Sequence, residues 1–274
     1  MIAVRVIVHL SIRVNVQNNK GVIMFQEQWI EDIQPDYKDI AKAVNRSQHT
    51  QRNYDLSKTI PEKDMKALLH SMTECPSKNN IAFYRVHMIT NRDMIDALYE
   101  TTKGFHFRDK YSGEWDTQGN SQVLANLLVL FEALPINLEL FENEPEGYTP
   151  PNGYRNGEHY LMKHHTKENA ESGDLLPYET SKEAMDILKQ DQATAIGIAS
   201  GYLNLTAAML GYRTGCCTCF VPDQVKEVAG LEHEAFLLMG VGFNNDGKNR
   251  REHQKDDFTF HTMKKQPIPV KWRV

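Results

Sequence analysis

Three short polar segments carry side chains that suit the binding of an anion: residues 45–55, 75–80 and 244–253. Each combines arginine or lysine with hydroxyl, amide or imidazole groups. Such donors form charge-assisted hydrogen bonds with phosphate, each contributing roughly 1.5–3 kcal/mol. Any one segment alone is more typical of a solvated surface turn than of a binding site, so only the segments together can indicate one.

A second reactive group is the run Gly211–Phe220, GYRTGCCTCF, which holds three of the four cysteines. Cys216, Cys217 and Cys219 lack the paired two-residue spacers of zinc ribbons and the spacing of iron–sulfur ligands. Three histidines also lie close together in a polar stretch: His159, His164 and His165. That stretch is more typical of a solvated loop than of a metal site. We therefore predict no metal site, and a modulating redox role for the cysteines stays open.

The composition excludes several classes of partner. The chain has 274 residues, 41% of them hydrophobic, which is enough to bury a sizeable core. Its 31 basic residues against 36 acidic ones give a net charge of −5, so nothing attracts nucleic acid or an anionic membrane in general. The clustered cysteines do not resemble a secreted disulfide framework, so we expect a reducing, cytoplasmic compartment.

The N-terminal stretch allows two interpretations. Its apolar residues fall on the even positions from Val4 to Val16, which is strand periodicity. Arginines and a histidine interrupt the run and no small-residue cleavage site follows, so we expect neither a signal peptide nor a membrane span. Residues 1–23 are either a strand or an extension upstream of a functional start at Met24.

Periodicity predicts the elements that must position the polar segments. Helices are predicted over residues 25–44, 62–73, 92–101 and 181–210, the second with Thr59 as its cap. Strands are predicted over residues 81–90, 123–131 and 235–243. Helices and strands do not alternate regularly, which favours an α+β fold over a doubly wound sheet. Ala193, Gly197 and Gly201 form a small-residue ridge on the last helix, suited either to packing within the subunit or to a second long helix.

In their order along the chain, four motifs resemble those of the nitroreductase family of flavin mononucleotide (FMN) enzymes. They are His49–Asp55, Pro76–Asn80, the helix end and turn Gly201–Gly215, and Gly242-Phe243 followed by Lys248-Asn249-Arg250. The resemblance covers about residues 25–255. It implies a three-layer α+β fold, with a mainly antiparallel central sheet, flanking helices and a long central helix. Residues 24–274 would form a single FMN-binding domain, and residues 142–178 would be a lid insertion or an ordinary surface excursion.

The resemblance also implies a set of cofactor-binding residues: Gln48, His49, Thr50, Arg52, Pro76, Ser77, Asn80, Gly215, Cys216, Lys248 and Arg250. His49, Thr50 and Arg52 would meet the phosphate, ribityl and pyrimidine parts of FMN, and Arg52 would stabilise negative charge on the reduced ring.

Other parts of the cofactor are assigned in the same way. Asn80 would hydrogen-bond the ring system, and Lys248 with Arg250 would clamp the phosphate. Gly215 would permit close approach of the backbone, and the Cys216 amide would face the flavin N5 edge. The run Gly211–Phe220 is then predicted to be the turn that ends the long helix.

The chain departs from the family pattern at one position. The family usually has an arginine two residues before the Ser/Thr of the first motif, where this chain has Gln48. Either Arg46 supplies the missing charge, or Gln48 contacts the phosphate as a neutral donor.

The function implied is an oxidoreductase that takes hydride from NAD(P)H at flavin N5 and reduces a nitro, quinone or similar electron-poor small molecule by a ping-pong mechanism. Family members are usually homodimers with FMN at the interface. Three alternatives stay open: a non-catalytic flavin-sequestering protein, reductive dehalogenation, and destruction of the flavin. A further alternative for Arg52 is a surface salt bridge with Asp55.

Overall fold

Four antiparallel strands form the central sheet. The computed structural model describes residues 37–78, 82–102, 104–108, 115–135, 182–261 and 264–273. The strands are β1 (Tyr84–Ile89), β4 (Leu127–Ala133), β6 (Glu234–Gly242) and β5 (Arg213–Cys217), in that spatial order. β2 (Phe105–Arg108) and β3 (Trp115–Gln118) form a separate antiparallel hairpin.

Five helices occur in the described part of the chain: α1 (Tyr37–Ser47), α2 (Glu62–Thr73), α3 (Arg92–Glu100), α4 (Lys182–Met209) and α5 (Pro222–Ala229). Several predictions lie outside the described residues: those for residues 1–36, for Asn80, for the segment 142–178 and for its three histidines.

The helices cover both faces of the sheet. On one face α2 and α4 pack their apolar side chains against the odd-numbered residues of β4 and β6, for example Leu68 and Leu203 against Phe131. On the other face α3 and α5 pack against even-numbered residues such as Leu130 and Leu238. Because side chains alternate across a strand, an uninterrupted apolar strand fills both cores. The predicted three-layer α+β fold with a long helix is confirmed.

The long helix α4 has one buried and one exposed face. Leu188, Ile196, Leu203 and Ala207 are buried at helical spacing. Gly197 and Gly201 are exposed, and a Cβ placed on either would meet nothing within 4 Å among the described residues. The side of α4 that carries Gly197 and Gly201 is therefore not covered by other described residues. No helix in the described ranges is both long and apolar enough to cross a membrane.

Two details of the predicted elements are wrong. α2 begins at Glu62 with Pro61 as its N-cap and no capping side chain, so Thr59 is not the cap. The strand predicted from residue 123 begins only at Leu127, because Ser121–Val123 form a 3₁₀ turn. Val123 is buried in the second core cluster from this turn. An apolar run marks burial, but it does not distinguish a buried turn from a strand.

The run Gly211–Phe220 is also different from the predicted turn. Gly211 ends α4 with a left-handed φ of 99°, as predicted for a helix stop. The chain then enters β5 at Arg213, so most of the run is an edge strand paired with β6. The left-handed conformation of Gly211 therefore lets the chain change direction within three residues, between the end of α4 at Met209 and the start of β5 at Arg213.

A buried carboxylate lies at the far end of the sheet. Glu132 on β4 is fully buried and accepts hydrogen bonds from the His233 backbone N–H at 2.7 Å and from His87 Nε2 at 2.7 Å. Arg85 Nη1 lies 3.5 Å from the same carboxylate. Burial raises the pKa of Glu132, but the bonds from His87 and His233 and the charge of Arg85 outweigh it and leave the pKa below its ordinary value.

We expect Glu132→Gln to remove a pH-dependent part of the stability. A lowered folded-state pKa means that the carboxylate contributes stability above the ordinary glutamate pKa of about 4.3, and that this contribution is lost as the pH falls through the folded-state pKa. At pH 7 the variant should lose about 1–3 kcal/mol in urea unfolding. The difference from wild type should shrink at pH 3, and a pH-independent difference would contradict this assignment.

Candidate functional site

The first and third polar segments lie against each other at one end of the sheet. The Gln51 N–H donates to Thr214 O on β5 at 2.8 Å, and the next amide, of Arg52, donates to Arg250 O at 2.9 Å. The Asp55 N–H donates to Phe243 O at 3.1 Å. The loop after α1 is therefore held by the edge strand on one side and by the segment after β6 on the other.

Buried amide side chains reinforce this junction. Asn53 is fully buried, and its Nδ2 donates to Asn249 O at 2.7 Å and to Glu252 O at 2.8 Å. Gln254 Oε1 accepts from the Tyr54 N–H, and Gln254 Nε2 donates back to Tyr54 O at 3.2 Å. Each bond satisfies backbone groups that have no partner in a helix or sheet. These amides fix the relative position of the two segments.

Tyr54 fixes the same loop to the sheet by packing on glycines. Its side chain is 1% exposed, and its hydroxyl donates to Gln122 O at 3.1 Å. A Cβ on Gly215 or Gly240 would lie 3.1 or 3.0 Å from the Tyr54 hydroxyl, and one on Gly242 would lie 2.7 Å from its ring. The three glycines thus form a flat seat for the ring on β5 and β6.

At Gly215 the close approach is made by other residues of this chain, Gln122, Gln51 and Tyr54. A Cβ there would lie 2.5 Å from the Gln122 Cβ and 2.8 Å from Gln51 O. Whether the Gly215 or Cys216 backbone also contacts a flavin stays a prediction.

Positive charge collects beside this junction. Arg250 Nη1 donates to Thr50 O at 3.4 Å. Partial desolvation, and then the charges of Arg250 and Arg213, lower the pKa of His49. Burial, and then the charges of Arg46 and Arg250, lower the pKa of Arg213. Arginines that disfavour each other's charged forms, as Arg46, Arg213 and Arg250 do here, are typical of a site for an anion.

Arg52 is held by two groups that sequence analysis missed. Its guanidinium lies over the Phe260 ring at 4.1 Å and donates from Nη1 to Gln122 Oε1. Gln122 Nε2 in turn donates to Cys216 O at 3.3 Å. Asp55 pairs instead with Lys58 at 2.9 Å, so the predicted alternative of an Arg52–Asp55 surface pair is not the arrangement seen. No motif pointed to Gln122 or Phe260, because both come from segments without a recognisable pattern.

A buried histidine supports Phe260 from behind. His253 is fully buried, its ring lies 5.9 Å from the Phe260 ring, and its Nε2 lies 3.1 Å from the Tyr99 hydroxyl. Its Nδ1 accepts from the backbone N–H groups of Lys255 and Asp256 at 3.2 and 3.0 Å. The chain of contacts from Arg52 through Phe260 and His253 therefore ends on α3.

The remaining predicted residues have other partners. Gln48 is exposed, and its Nε2 donates to Asn45 O at 3.2 Å. Lys248 Nζ donates to His253 O at 3.2 Å and to Gln254 O at 3.3 Å. The second polar segment, with Pro76 and Ser77, follows α2 and is attached to α4 where Lys78 Nζ meets Asp191 Oδ2 at 2.6 Å. The cofactor contacts proposed for these residues stay predictions.

The four cysteines are free thiols. Cys217 is buried, and burial raises its pKa to about 11, so its thiol is protonated and a poor nucleophile at neutral pH. Within the described ranges, no three histidine, cysteine or acidic side chains come together as a metal site would require.

The chain resembles known proteins in sequence and in fold. A sequence model of the nitroreductase family matches residues 46–243. An enone reductase of gut-bacterial fatty acid saturation metabolism, CLA-ER, superposes with a TM-score of 0.50 at 15% identity, covering 84% of this chain and 94% of its own. No curated protein sequence gives a significant match.

Two further solved structures are similar. A protein from Exiguobacterium sibiricum, named as a nitroreductase and solved in complex with FMN, has a TM-score of 0.48 at 19% identity, covering 80% of this chain and 92% of its own. A Staphylococcus epidermidis protein named as an NAD(P)H:FMN oxidoreductase has a TM-score of 0.49 at 17% identity, covering 89% and 96%. The family match spans well over half of the chain, from the end of α1 to the end of β6. This chain belongs to the nitroreductase family.

Proposed function

We propose that this chain is an FMN-dependent oxidoreductase that uses NAD(P)H to reduce a small electron-poor acceptor such as a quinone or a nitroaromatic compound. The observation that carries the proposal is the junction of two polar segments, where Arg250 contacts Thr50 O at 3.4 Å and its charge acts on both His49 and Arg213. When bound, FMN supplies the chemistry, accepting hydride from the nicotinamide and passing electrons to the acceptor. The described residues at the junction fit such a group, since a phosphate dianion needs the surplus positive charge found there.

Each residue of the junction has a task in this proposal. Arg250, Lys248 and His49 bind the phosphate, Thr50 binds the ribityl chain, and Arg52 binds the pyrimidine part of the ring system. Phe260 and Gln122 hold the Arg52 guanidinium in a fixed position, so its charge is available without reorganisation. Pro76, Ser77, Asn80, Gly215 and Cys216 complete the predicted cofactor contacts.

Flavin absorbance and its response to nicotinamides test the function. The purified chain should be yellow or should become yellow with FMN, and NADH or NADPH should bleach it without oxygen. A quinone or nitroaromatic compound should then restore the colour. A folded, colourless protein that cannot be reconstituted with FMN would exclude the proposal. A tight complex that is inert to both nicotinamides would instead support flavin sequestration.

We expect Arg52→Met to make the midpoint potential of bound FMN more negative, on the order of tens of millivolts, because a positive charge near the ring stabilises its reduced form. Arg52→Lys should restore part of the shift, since it keeps the charge and loses the planar contact with Phe260. Spectroscopic redox titration of the loaded protein measures both variants. Equal potentials in wild type and Arg52→Met would contradict this role.

We also propose that the functional unit is a homodimer. The exposed face of α4 carries Tyr202, Leu205 and Met209 beside Gly197 and Gly201, and small residues allow two helices to approach closely. Sedimentation of the purified chain gives the oligomeric state directly.

A further inference from the structure

We propose that Arg213 binds the phosphate of the flavin and replaces the arginine that the family pattern has where this chain has Gln48. The inference rests on the proposed function, because it assigns one more contact within the same site. It answers which residue compensates for the missing charge, a question that the sequence left between Arg46 and Gln48.

Each of the two sequence candidates already has a hydrogen-bond partner outside the junction. Gln48 Nε2 turns back to Asn45, with Asn45 O at 3.2 Å and Asn45 Oδ1 at 3.4 Å. Arg46 donates from Nη1 to Ala208 O at the C-terminal end of α4. A cation at that helix end is stabilised by unpaired carbonyl groups and by the helix dipole. The structure thus gives Arg46 a packing role between α1 and α4.

Arg213 lies on the face of the edge strand β5 that meets the first polar segment. Side chains of β5 alternate between its two faces, so Arg213 shares a face with Gly215. On that face the Gly215 Cβ position lies 2.8 Å from Gln51 O, inside the first polar segment. The neighbouring Thr214 O accepts from the Gln51 N–H at 2.8 Å. Arg213 therefore begins the strand directly beside the loop that carries His49 and Thr50.

The charge of Arg213 is not neutralised within the described part of the chain. Its side chain is half-buried, and it forms no hydrogen bond or ion pair with a described residue. In addition to burial, the charges of Arg46 and Arg250 lower the pKa of Arg213. Among the described acids, only the charge of Asp246 acts in the opposite direction. A half-buried guanidinium costs free energy unless an anion pairs with it. A phosphate at the junction would supply that anion and accept a bidentate pair of hydrogen bonds.

Comparison of two flavins isolates the phosphate contact. FMN and riboflavin share the ring and ribityl chain and differ by the phosphate. Dissociation constants of both should be measured by flavin fluorescence with the full-length, flavin-stripped chain. The variants are Arg213→Met, which keeps the aliphatic length, and Arg213→Lys, which keeps the charge. Lys66→Met is the matched control, because it removes one positive charge from the surface of α2, where Lys66 pairs with Glu62 at 2.7 Å.

We expect Arg213→Met to weaken FMN binding about 10- to 100-fold and to leave riboflavin binding unchanged. Arg213→Lys should lose less, and Lys66→Met should match wild type. Inorganic phosphate should compete with FMN for wild type and compete less for Arg213→Met. Circular dichroism and thermal melting establish that each variant is folded before binding is measured.

Other outcomes separate the two levels of the proposal. Wild type that binds neither flavin overturns the proposed function together with this inference. Wild type that binds FMN, with Arg213→Met binding it equally well, overturns the inference alone. An equal loss for FMN and riboflavin also overturns it, because a phosphate contact cannot weaken a ligand without phosphate. A raised KM for NADPH alone, with FMN affinity intact, would assign Arg213 to the nicotinamide's phosphate and overturn it too.

Discussion

Gly240→Ala is expected to lower the free energy of unfolding by about 3 kcal/mol, because the methyl group has no space. A Cβ at this position would lie 2.1 Å from Gln122 O and 2.9 Å from the Ala125 Cβ. Gln122 O belongs to the 3₁₀ turn before β4 and accepts from the Tyr54 hydroxyl at 3.1 Å, so it cannot withdraw without breaking that contact. Urea unfolding of the flavin-free chain measures the loss.

Gly247→Ala is the matched control for this substitution. Gly247 is exposed in the segment after β6, and a Cβ there would make only an ordinary contact of 3.4 Å with Asn245 Oδ1. Its free energy of unfolding should stay within about 0.5 kcal/mol of wild type. Equal stabilities of Gly240→Ala and Gly247→Ala would show that the sheet tolerates a side chain beneath Tyr54.

If the proposed function holds, the double variant Lys248→Ala/Arg250→Ala should weaken FMN binding by roughly 100-fold, because it removes two cations that the proposal places at the phosphate. The structure predicts that the two single variants are unequal. Arg250 lies at Thr50 O, 3.4 Å away, and its charge reaches His49. Lys248 already donates to His253 O and Gln254 O. Most of the loss should therefore come from Arg250→Ala.

Equilibrium dialysis of the stripped, refilled protein gives the FMN affinity of each variant. Lys66→Met serves again as the control for loss of surface charge. A folded double variant that retains FMN as well as wild type would refute the placement of the phosphate at this junction. A double variant with lowered melting temperature would call for comparison of Arg250→Met, which preserves more of the packing.

Periodicity and buried apolar runs predicted most of the helices and strands, and the motif resemblance predicted their three-layer arrangement. The helices α2, α3 and α4 and the strand β6 lie where the spacing of apolar residues placed them, within a few residues. The start of β4 was misplaced because Val123 is buried from a turn, and burial alone does not specify backbone conformation. The edge strand β5 was missed because its short sequence, RTGCC, has no long apolar alternation.

The candidate site was only partly accessible from sequence. The segments that meet, residues 45–55 and 244–253, were recognisable from their clusters of charged and amide residues and from the order of the motifs. Contacts between segments far apart in the chain were not readable: Arg52 meets Gln122 across 70 residues and Phe260 from beyond the last motif. Arg213 was overlooked for a similar reason. It is the one charged residue of the run Gly211–Phe220, and only strand pairing shows which face of β5 it occupies.

The seat of Tyr54 on three glycines has an evolutionary consequence. The ring and the missing side chains of Gly215, Gly240 and Gly242 compete for one volume, so these four positions are expected to change together among relatives. A Cβ on Gly242 would lie 2.7 Å from the Tyr54 ring and 2.2 Å from Asn126 Oδ1, so a relative with a larger residue there should carry smaller or repositioned side chains at both positions. Such compensated pairs would mark lineages in which the loop after α1 is attached to the sheet by a different residue.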